Sequence, residues 1–293
     1  MYDIIIIGAG PAGMTAAIYA LRANKKVLIF EAKSYGGQIV NASNVENHPG
    51  ISSISGYDLA TNMYNQVKNL GGEFKFETVI RITDENKVMT ANGEYEAKAI
   101  ILAIGAENRK LNIAGESLLV GKGVSYCATC DGNFYRGKDV AVVGGGNTAL
   151  EDAIYLADIA NKVYIIHRKD SFRAEESYQD ELRNKKNVEY VMNANIVKIN
   201  GEDRLESIDL DNGRNIIING LFIAVGQEPN NEIFNNVVSL NDKGYIISQD
   251  GVHTNKKNIY VAGDAREKSL RQLVTAESDG AIAATTAIRE MEK

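Results

Sequence analysis

The sequence predicts an α/β protein with two domains, each organised around a strand–glycine turn–helix–strand unit. Residues 2–31 read as a buried strand (Asp3 to Ile7), a turn (Gly8-Ala9-Gly10-Pro11-Ala12-Gly13), a helix (Met14 to Ala23) and a second strand (Val27 to Phe30) ending at Glu31. Residues 139–168 repeat the plan with Val140 to Val143, the turn Gly144-Gly145-Gly146-Asn147-Thr148-Ala149, Leu150 to Ala160, and Val163 to Ile166 ending at His167-Arg168. The strands are continuous apolar runs, as a parallel sheet covered on both faces requires. Composition agrees: 27 Gly against 3 Pro in 293 residues favours α/β architecture with phosphate-binding turns.

The remaining elements follow in order. Each unit is succeeded by an apolar strand that closes on glycine, Ala99 to Ile104 before Gly105-Ala106 and Leu221 to Val225 before Gly226. Ile259 to Ala262 runs into Gly263-Asp264. Phe74 to Thr90 and Val188 to Asp211 are polar and alternating, which predicts antiparallel meanders or hairpins. Asn92-Gly93 and Asp211-Asn212-Gly213 are turn signals.

Composition excludes several classes. Acidic residues exceed basic ones, 38 to 32, which argues against a nucleic-acid binder. Two Cys in so long a chain cannot staple a secreted scaffold. A hydrophobic content of 44% is that of a globular protein, and the length favours about two domains. The run Ile4 to Ile7 stops at Gly8 with no basic region before it, too short for a signal segment, and no stretch approaches a membrane span. The expectation is a cytoplasmic protein with no membrane and no nucleic-acid partner.

Gly8-x-Gly10-x-x-Gly13 sits between a strand and a helix. The first Gly permits the tight turn, the second lets backbone approach a pyrophosphate, and the third lets helix pack on strand. The helix N-terminus supplies free N–H groups and the positive dipole end. Glu31, at the end of the second strand, can take ribose hydroxyls. In the second turn, Gly144-x-Gly146-x-x-Ala149, the acid at the strand end is replaced by His167-Arg168-Lys169, with Arg173 close behind. A carboxylate there would repel a 2′-phosphate, whereas Arg can hold one bidentately, so NADP(H) is expected over NAD(H). The competing reading of Arg168, Lys169 and Arg173 is a solvated basic face. Glu151, Asp152, Glu175 and Glu176 read as helix-surface residues.

Cys127-Ala128-Thr129-Cys130 precedes Asp131-Gly132. A zinc site needs about four ligands, and the three His (His48, His167, His253) are isolated, so no metal is expected. A structural disulfide closing so short a loop would constrain the unfolded chain little. A redox-active dithiol explains the spacing directly: one thiolate attacks a substrate disulfide and the other resolves the mixed disulfide. Asp131 can supply the proton such exchange needs, or can be an ordinary turn residue.

Taken in order, the Gly8–Gly13 turn, Gly36-Gly37-Gln38, Val45-Glu46-Asn47-His48-Pro49-Gly50, Cys127 to Gly132, Gly144 to Ala149, His167 to Ala174 and Gly263-Asp264 resemble the low-molecular-weight, bacterial-type thioredoxin reductases. The resemblance covers nearly the whole chain. It implies two dinucleotide-binding, Rossmann-like, three-layer domains, the second inserted in the first: FAD-binding over 1–112 and 241–293, NADPH-binding with the CxxC over 113–240. It implies a homodimer and the two cofactors FAD and NADPH. On the FAD side it implicates Gly8, Gly10, Pro11, Ala12, Gly13, Glu31, Gly36, Gly37, Gln38, Asn47, Val79 near the adenine, and Gly105. Gly263, Asp264 (on the ribityl chain), Ala265, Arg271 and Gln272 complete that set. On the NADPH side it implicates Gly144, Gly146, Asn147, Thr148, His167, Arg168, Lys169 and Arg173.

By the same resemblance, hydride passes from NADPH to FAD and the flavin reduces the Cys127–Cys130 disulfide. Cys130 would face the flavin, Cys127 would attack thioredoxin, and Asp131 would be the general acid. A domain rotation is expected, with Leu111–Gly115 and Ser239–Gly244 as hinges. Phe134, Tyr135 and Arg136 fit either a thioredoxin-docking loop or packing. Lys169 stands where many members carry a second Arg, which keeps the charge but loses the fork and softens the NADPH preference. Alternative functions are reduction of another small dithiol carrier, glutaredoxin-like or peroxiredoxin-linked, and a flavin-binding redox sensor.

Overall fold

A computed structural model describes residues 1–42 and 44–292. The chain runs through β1 (Tyr2–Ile7), α1 (Pro11–Arg22), β2 (Val27–Phe30), α2 (Gly56–Asn69), β3 (Glu73–Lys75), β4 (Val79–Ile82), β5 (Lys87–Thr90) and β6 (Gly93–Leu102) before it leaves the first unit through β7 (Glu107–Asn108). The second unit holds α3 (Glu116–Leu119), β8 (Val124–Ser125), α4 (Ala128–Asp131), β9 (Asp139–Gly144), α5 (Asn147–Ala157) and β10 (Lys162–His167). It continues through α6 (Glu176–Arg183), β11 (Val188–Met192), β12 (Ile196–Asn200), β13 (Ser207–Leu210), β14 (Asn215–Ile217) and β15 (Gly220–Ala224). The chain returns through β16 (Gln227–Glu228) to β17 (Ile259–Val261) and α7 (Leu273–Met291). β7 and β16 pair as a two-stranded sheet.

The chain separates into Met1–Glu107 with Glu228–Lys293, and Asn108–Gln227. The expected boundaries were 112/113 and 240/241. Leu111–Gly115 therefore lies inside the second unit and Ser239–Gly244 inside the first. The larger difference has a packing cause: Phe234, Val237 and Val238 are buried against Ile5, Leu28 and Ile100 of the first unit's sheet. Burying Phe234 alone favours that placement by roughly 1.5–3 kcal/mol.

Each unit builds the same three layers. In the first, parallel strands run β3-β2-β1-β6, with β17 also on β6. One face packs Ile4, Ile6 and Ile101 against small residues of α1 and α7, including Ala16, Ala17, Ala283 and Ala284. The other face packs Ile5, Leu28 and Ile100 against the β4–β5 meander and the 234–246 return segment. β6 serves two sheets: Gly93–Glu96 pair antiparallel with β5, and Ala97–Leu102 pair parallel with β1. Its burial changes from alternating to continuous at Ala99, two residues past that switch, because only the Ala99–Leu102 end is covered on both faces.

In the second unit the parallel order is β11-β10-β9-β15-β8, with α5 on one face and the antiparallel sheet β12-β13-β14 on the other. The polar stretches expected to be wholly antiparallel are not. Phe74 lies in β3, parallel to β2, and Val188–Met192 forms β11, parallel to β10. Both are edge strands, exposed enough to carry polar residues that mimic a meander.

Candidate functional site

Three constellations lie in the two units. In the first unit, Gly8 takes φ +106° where β1 turns toward α1, and a Cβ there would come within 2.7 Å of the Ala103 carbonyl carbon. Gly13 packs on the Gly8 carbonyl. Pro11 occupies the first turn of α1 and Ala12 is buried. Gly10, the N-cap, has no side-chain cap and faces open space bounded by the Gly37 Cα at 4.0 Å. The helix thus presents uncapped N–H groups into a gap, which is what a pyrophosphate requires. Glu31 accepts from the backbone N–H of Ala9 and of Lys33, both at 2.9 Å, and so is held at the strand end.

Gly36, buried with φ +102°, starts the 3-10 turn Gly37–Asn41, on which Gln38 is exposed. The amide of Asn47 donates to Gln272 at 3.1 Å, and His48 meets Glu277 at 3.0 Å; two side-chain contacts thereby tie the 47–48 loop to the start of α7. Val79 is buried in the sheet core, so it has only backbone to offer a ligand. Gly105 takes φ +66° with open space at its Cβ position. Gly263 lies against Ala12, and Ala265 is fully buried.

Asp264 carries the clearest unsatisfied group. Its Oδ1 is buried with no hydrogen-bond partner among the described residues, although Lys268 Nζ stands 3.7 Å from it as an ion-pair partner. Burial pushes its carboxyl above the usual range, and the charges of Lys268 and Arg271 pull it back. Arg271 stacks on Tyr245 at 4.1 Å and its Nε is also unpartnered. These orphaned atoms and the open cradle at Gly10 fit a polyhydroxylated dinucleotide such as FAD.

Sequence reasoning missed the charges behind this loop. Asp279 of α7 is 5% exposed. It accepts from Gly263 N–H at 3.1 Å, from Arg266 through both oxygens at 2.9 Å, and from Lys268 Nζ at 2.9 Å. Burial raises its pKa, but these partners outweigh that and hold it below the usual range. The available signal was an Asp inside a run of small apolar helix residues, Asp279-Gly280-Ala281.

The second unit repeats the cradle. Gly144 has φ +157°, where a Cβ would lie 2.6 Å from the Ala149 Cβ, and Gly146 caps α5 with nothing within 4 Å. Gly145, not expected to matter, carries the His167 ring directly on its Cα. His167 is buried, its Nε2 has no partner among the described residues, and desolvation plus the charges of Arg173 and Arg168 lower its pKa. Arg168, Lys169 and Arg173 are exposed in the same turn, with Arg173 N–H donating to the Gly145 carbonyl at 2.8 Å. Asn147 exchanges two 2.9 Å hydrogen bonds with Glu175, and Thr148 is exposed. The surface reading fails for Asp152, whose carboxyl burial pushes up to about 7 with help from Glu151.

Cys127 and Cys130 are bonded to each other, with Cα atoms 5.3 Å apart. Cys127 caps the single turn α4, and Asp131 N–H donates to the Cys127 carbonyl at 3.1 Å. Burial raises the Asp131 carboxyl against the lowering effect of a hydrogen bond from Ser125. Tyr135, edge-on to Phe222 at 5.4 Å and packed on Gly220, serves the core. Arg136 is exposed and Phe134 is half-buried.

Residues 2–280 match the family described as pyridine nucleotide-disulphide oxidoreductase. The chain is 43% identical to a thioredoxin reductase of Listeria monocytogenes, over 100% of this chain and 95% of that protein. It is 42% identical to one of Bacillus subtilis over 100% and 96%. The solved thioredoxin reductase of Streptococcus pyogenes superposes with a TM-score of 0.95 at 39% identity, covering 100% of this chain and 98% of that one. No helix among the described residues is long and apolar enough to cross a membrane.

Proposed function

This chain belongs to the pyridine nucleotide-disulphide oxidoreductases, among their thioredoxin reductases, and on that premise we propose that it is an NADPH-dependent, cytoplasmic, homodimeric enzyme whose substrate is the disulfide of thioredoxin. The observation that carries this reading is the bonded Cys127–Cys130 pair beside the half-buried carboxyl of Asp131, whose pKa burial raises. FAD and NADPH, when bound, supply the hydride chemistry that reduces this disulfide.

In this reading the first unit seats FAD: backbone N–H groups of Gly10, Ala12 and Gly13 take the pyrophosphate, Glu31 the ribose, and Asp264 the ribityl hydroxyls. Gly36, Gly37, Gln38, Asn47, Val79, Gly105, Ala265, Arg271 and Gln272 complete its walls. The second unit seats NADPH on Gly144, Gly146, Asn147 and Thr148, with His167, Arg168, Lys169 and Arg173 around the 2′-phosphate.

The chain's own chemistry begins with the reduced pair. The Cys127 thiolate attacks one sulfur of the thioredoxin disulfide, forming a mixed disulfide and expelling the other sulfur as a thiolate, which takes a proton from Asp131. Cys130 then loses its proton and attacks Cys127, the Cys127–Cys130 bond re-forms, and the second thioredoxin sulfur leaves as a thiolate that takes up that proton, completing the dithiol. Cys127→Ser should abolish thioredoxin reduction while NADPH still bleaches the flavin. Retained thioredoxin reduction would overturn the dithiol route, and reduction of only a glutaredoxin-like or peroxiredoxin-linked carrier would reassign the substrate.

A further inference from the structure

Ser125 stands next to the disulfide but belongs to no motif. Its backbone is fixed in β8, where it pairs with Phe222 of β15, and the residue is 5% exposed. Its hydroxyl donates to Asp131 Oδ2 at 2.6 Å and accepts the Cys127 N–H at 3.1 Å. The Cys127 carbonyl is farther from it, at 3.3 Å. One hydroxyl has one proton, and the shorter contact takes it. Asp131 Oδ1 is left buried with no partner among the described residues.

We propose that Ser125 is a positioning residue for the exchange reaction: oriented by the Cys127 N–H, its hydroxyl occupies Asp131 Oδ2 and leaves Oδ1 as the oxygen that carries and delivers the proton. The inference rests on Asp131 being the general acid. When the leaving thiolate forms, the Oδ1 proton moves to sulfur and the resulting carboxylate keeps its bond from Ser125. Because Ser125 also holds the Cys127 N–H, the proton donor is fixed to the backbone of the attacking cysteine. Burial acts in the same sense, raising the Asp131 carboxyl against the lowering effect of the Ser125 hydrogen bond. The titratable groups on the elements packed against α4, which carries Asp131, are Tyr135, on the 3-10 turn that follows it, and Glu151, Asp152 and Tyr155 of α5.

The test is a pH titration of the oxidised holoenzyme followed by infrared difference spectroscopy. Asp152 also titrates near neutrality, so the Asp131 band is identified by its loss in Asp131→Asn. In Ser125→Ala the Asp131 midpoint should rise by about one to two pH units, the worth of one hydrogen bond to a charged group. The carbonyl band should also move to higher frequency as Oδ2 loses its donor. Ser125→Thr should restore both. A purely structural role would lower thermal stability and leave band and midpoint at wild-type positions, and that result overturns the proposal. Should Ser125→Ala not fold, the wild-type band decides: a free-carboxyl frequency refutes the bond to Oδ2, and a lowered one supports it. A wild type that reduces no thioredoxin would refute the functional reading instead, and the spectra would still report on the hydrogen bond.

Discussion

Adjacent glycines in the second nucleotide turn should respond to the same methyl group in opposite ways. At Gly145 an added Cβ would lie 2.6 Å from His167 Nε2 and closer still to other ring atoms, whereas ordinary contact begins near 3.4 Å. The ring must retreat by 0.8 Å or more (3.4 minus 2.6). It has little room, being 6% exposed and packed near Phe172 at 5.5 Å. Gly145→Ala should therefore destabilise by roughly 1–3 kcal/mol, the usual cost of overpacking. At Gly146 nothing lies within 4 Å and φ is −102°, open to any residue. Gly146→Ala should cost the nucleotide-free protein less than about 1 kcal/mol, the difference between Gly and Ala at an N-cap. Its methyl would project into the gap proposed for the pyrophosphate, and NADPH affinity should fall by about 10- to 100-fold, equivalent to roughly 1.4–2.8 kcal/mol. Urea unfolding and fluorescence titration with NADPH separate the two effects. If Gly146→Ala binds NADPH within twofold of wild type, the turn is not the pyrophosphate seat. If Gly145→Ala is as stable as wild type, the ring is not held as described.

Three further outcomes follow from the charges. Asp279→Asn leaves the buried Lys268 ammonium with only Asp264 at 3.7 Å and takes the half-buried Arg266 from its carboxylate, and should cost about 1–3 kcal/mol in thermal or urea unfolding, partly recovered by adding Lys268→Met. Asp279 is held below its ordinary pKa, so the stability it brings is present above the unfolded value and lost as pH falls through the folded one. Asp152 has the opposite sign: its carboxyl is raised to about 7, so stability is full below the unfolded value and declines as pH rises toward 7. The upper bound on that decline is ~4 kcal/mol, reduced by residual contact with water. Asp152→Asn should flatten the urea-unfolding profile between pH 4 and 8, and parallel profiles would refute the assignment. Arg168→Ala and Arg173→Ala should each raise KM for NADPH about tenfold or more with little change for NADH, and equal losses for both would assign them to a solvated face.

The glycine turns and the cysteine pair were legible because their chemistry is local. A tight turn, a helix N-terminus and a two-residue gap between thiols are set by neighbours in the chain. β6 was only partly legible: its Ala99–Leu102 end is covered on both faces and reads as an apolar run, while Gly93–Lys98 alternates and reads as something else. The edge strands β3 and β11 were misread as hairpin segments because edge exposure permits polar residues whatever the pairing direction.

The sequence by itself determined two strand–glycine turn–helix units of the same plan, the basic turn at His167–Arg173, and a lone cysteine pair at Cys127 and Cys130. Tertiary structure alone decided that residues 228–240 pack with the first unit, that Asp279 anchors the loop behind Asp264, that His167 lies on Gly145, and that Ser125 takes Asp131 Oδ2. Most of these pair residues distant in sequence, 279 with 263 and 167 with 145, and no periodicity links such positions. What joins them is burial: a charge or ring removed from water must find its partner wherever the packed chain places one.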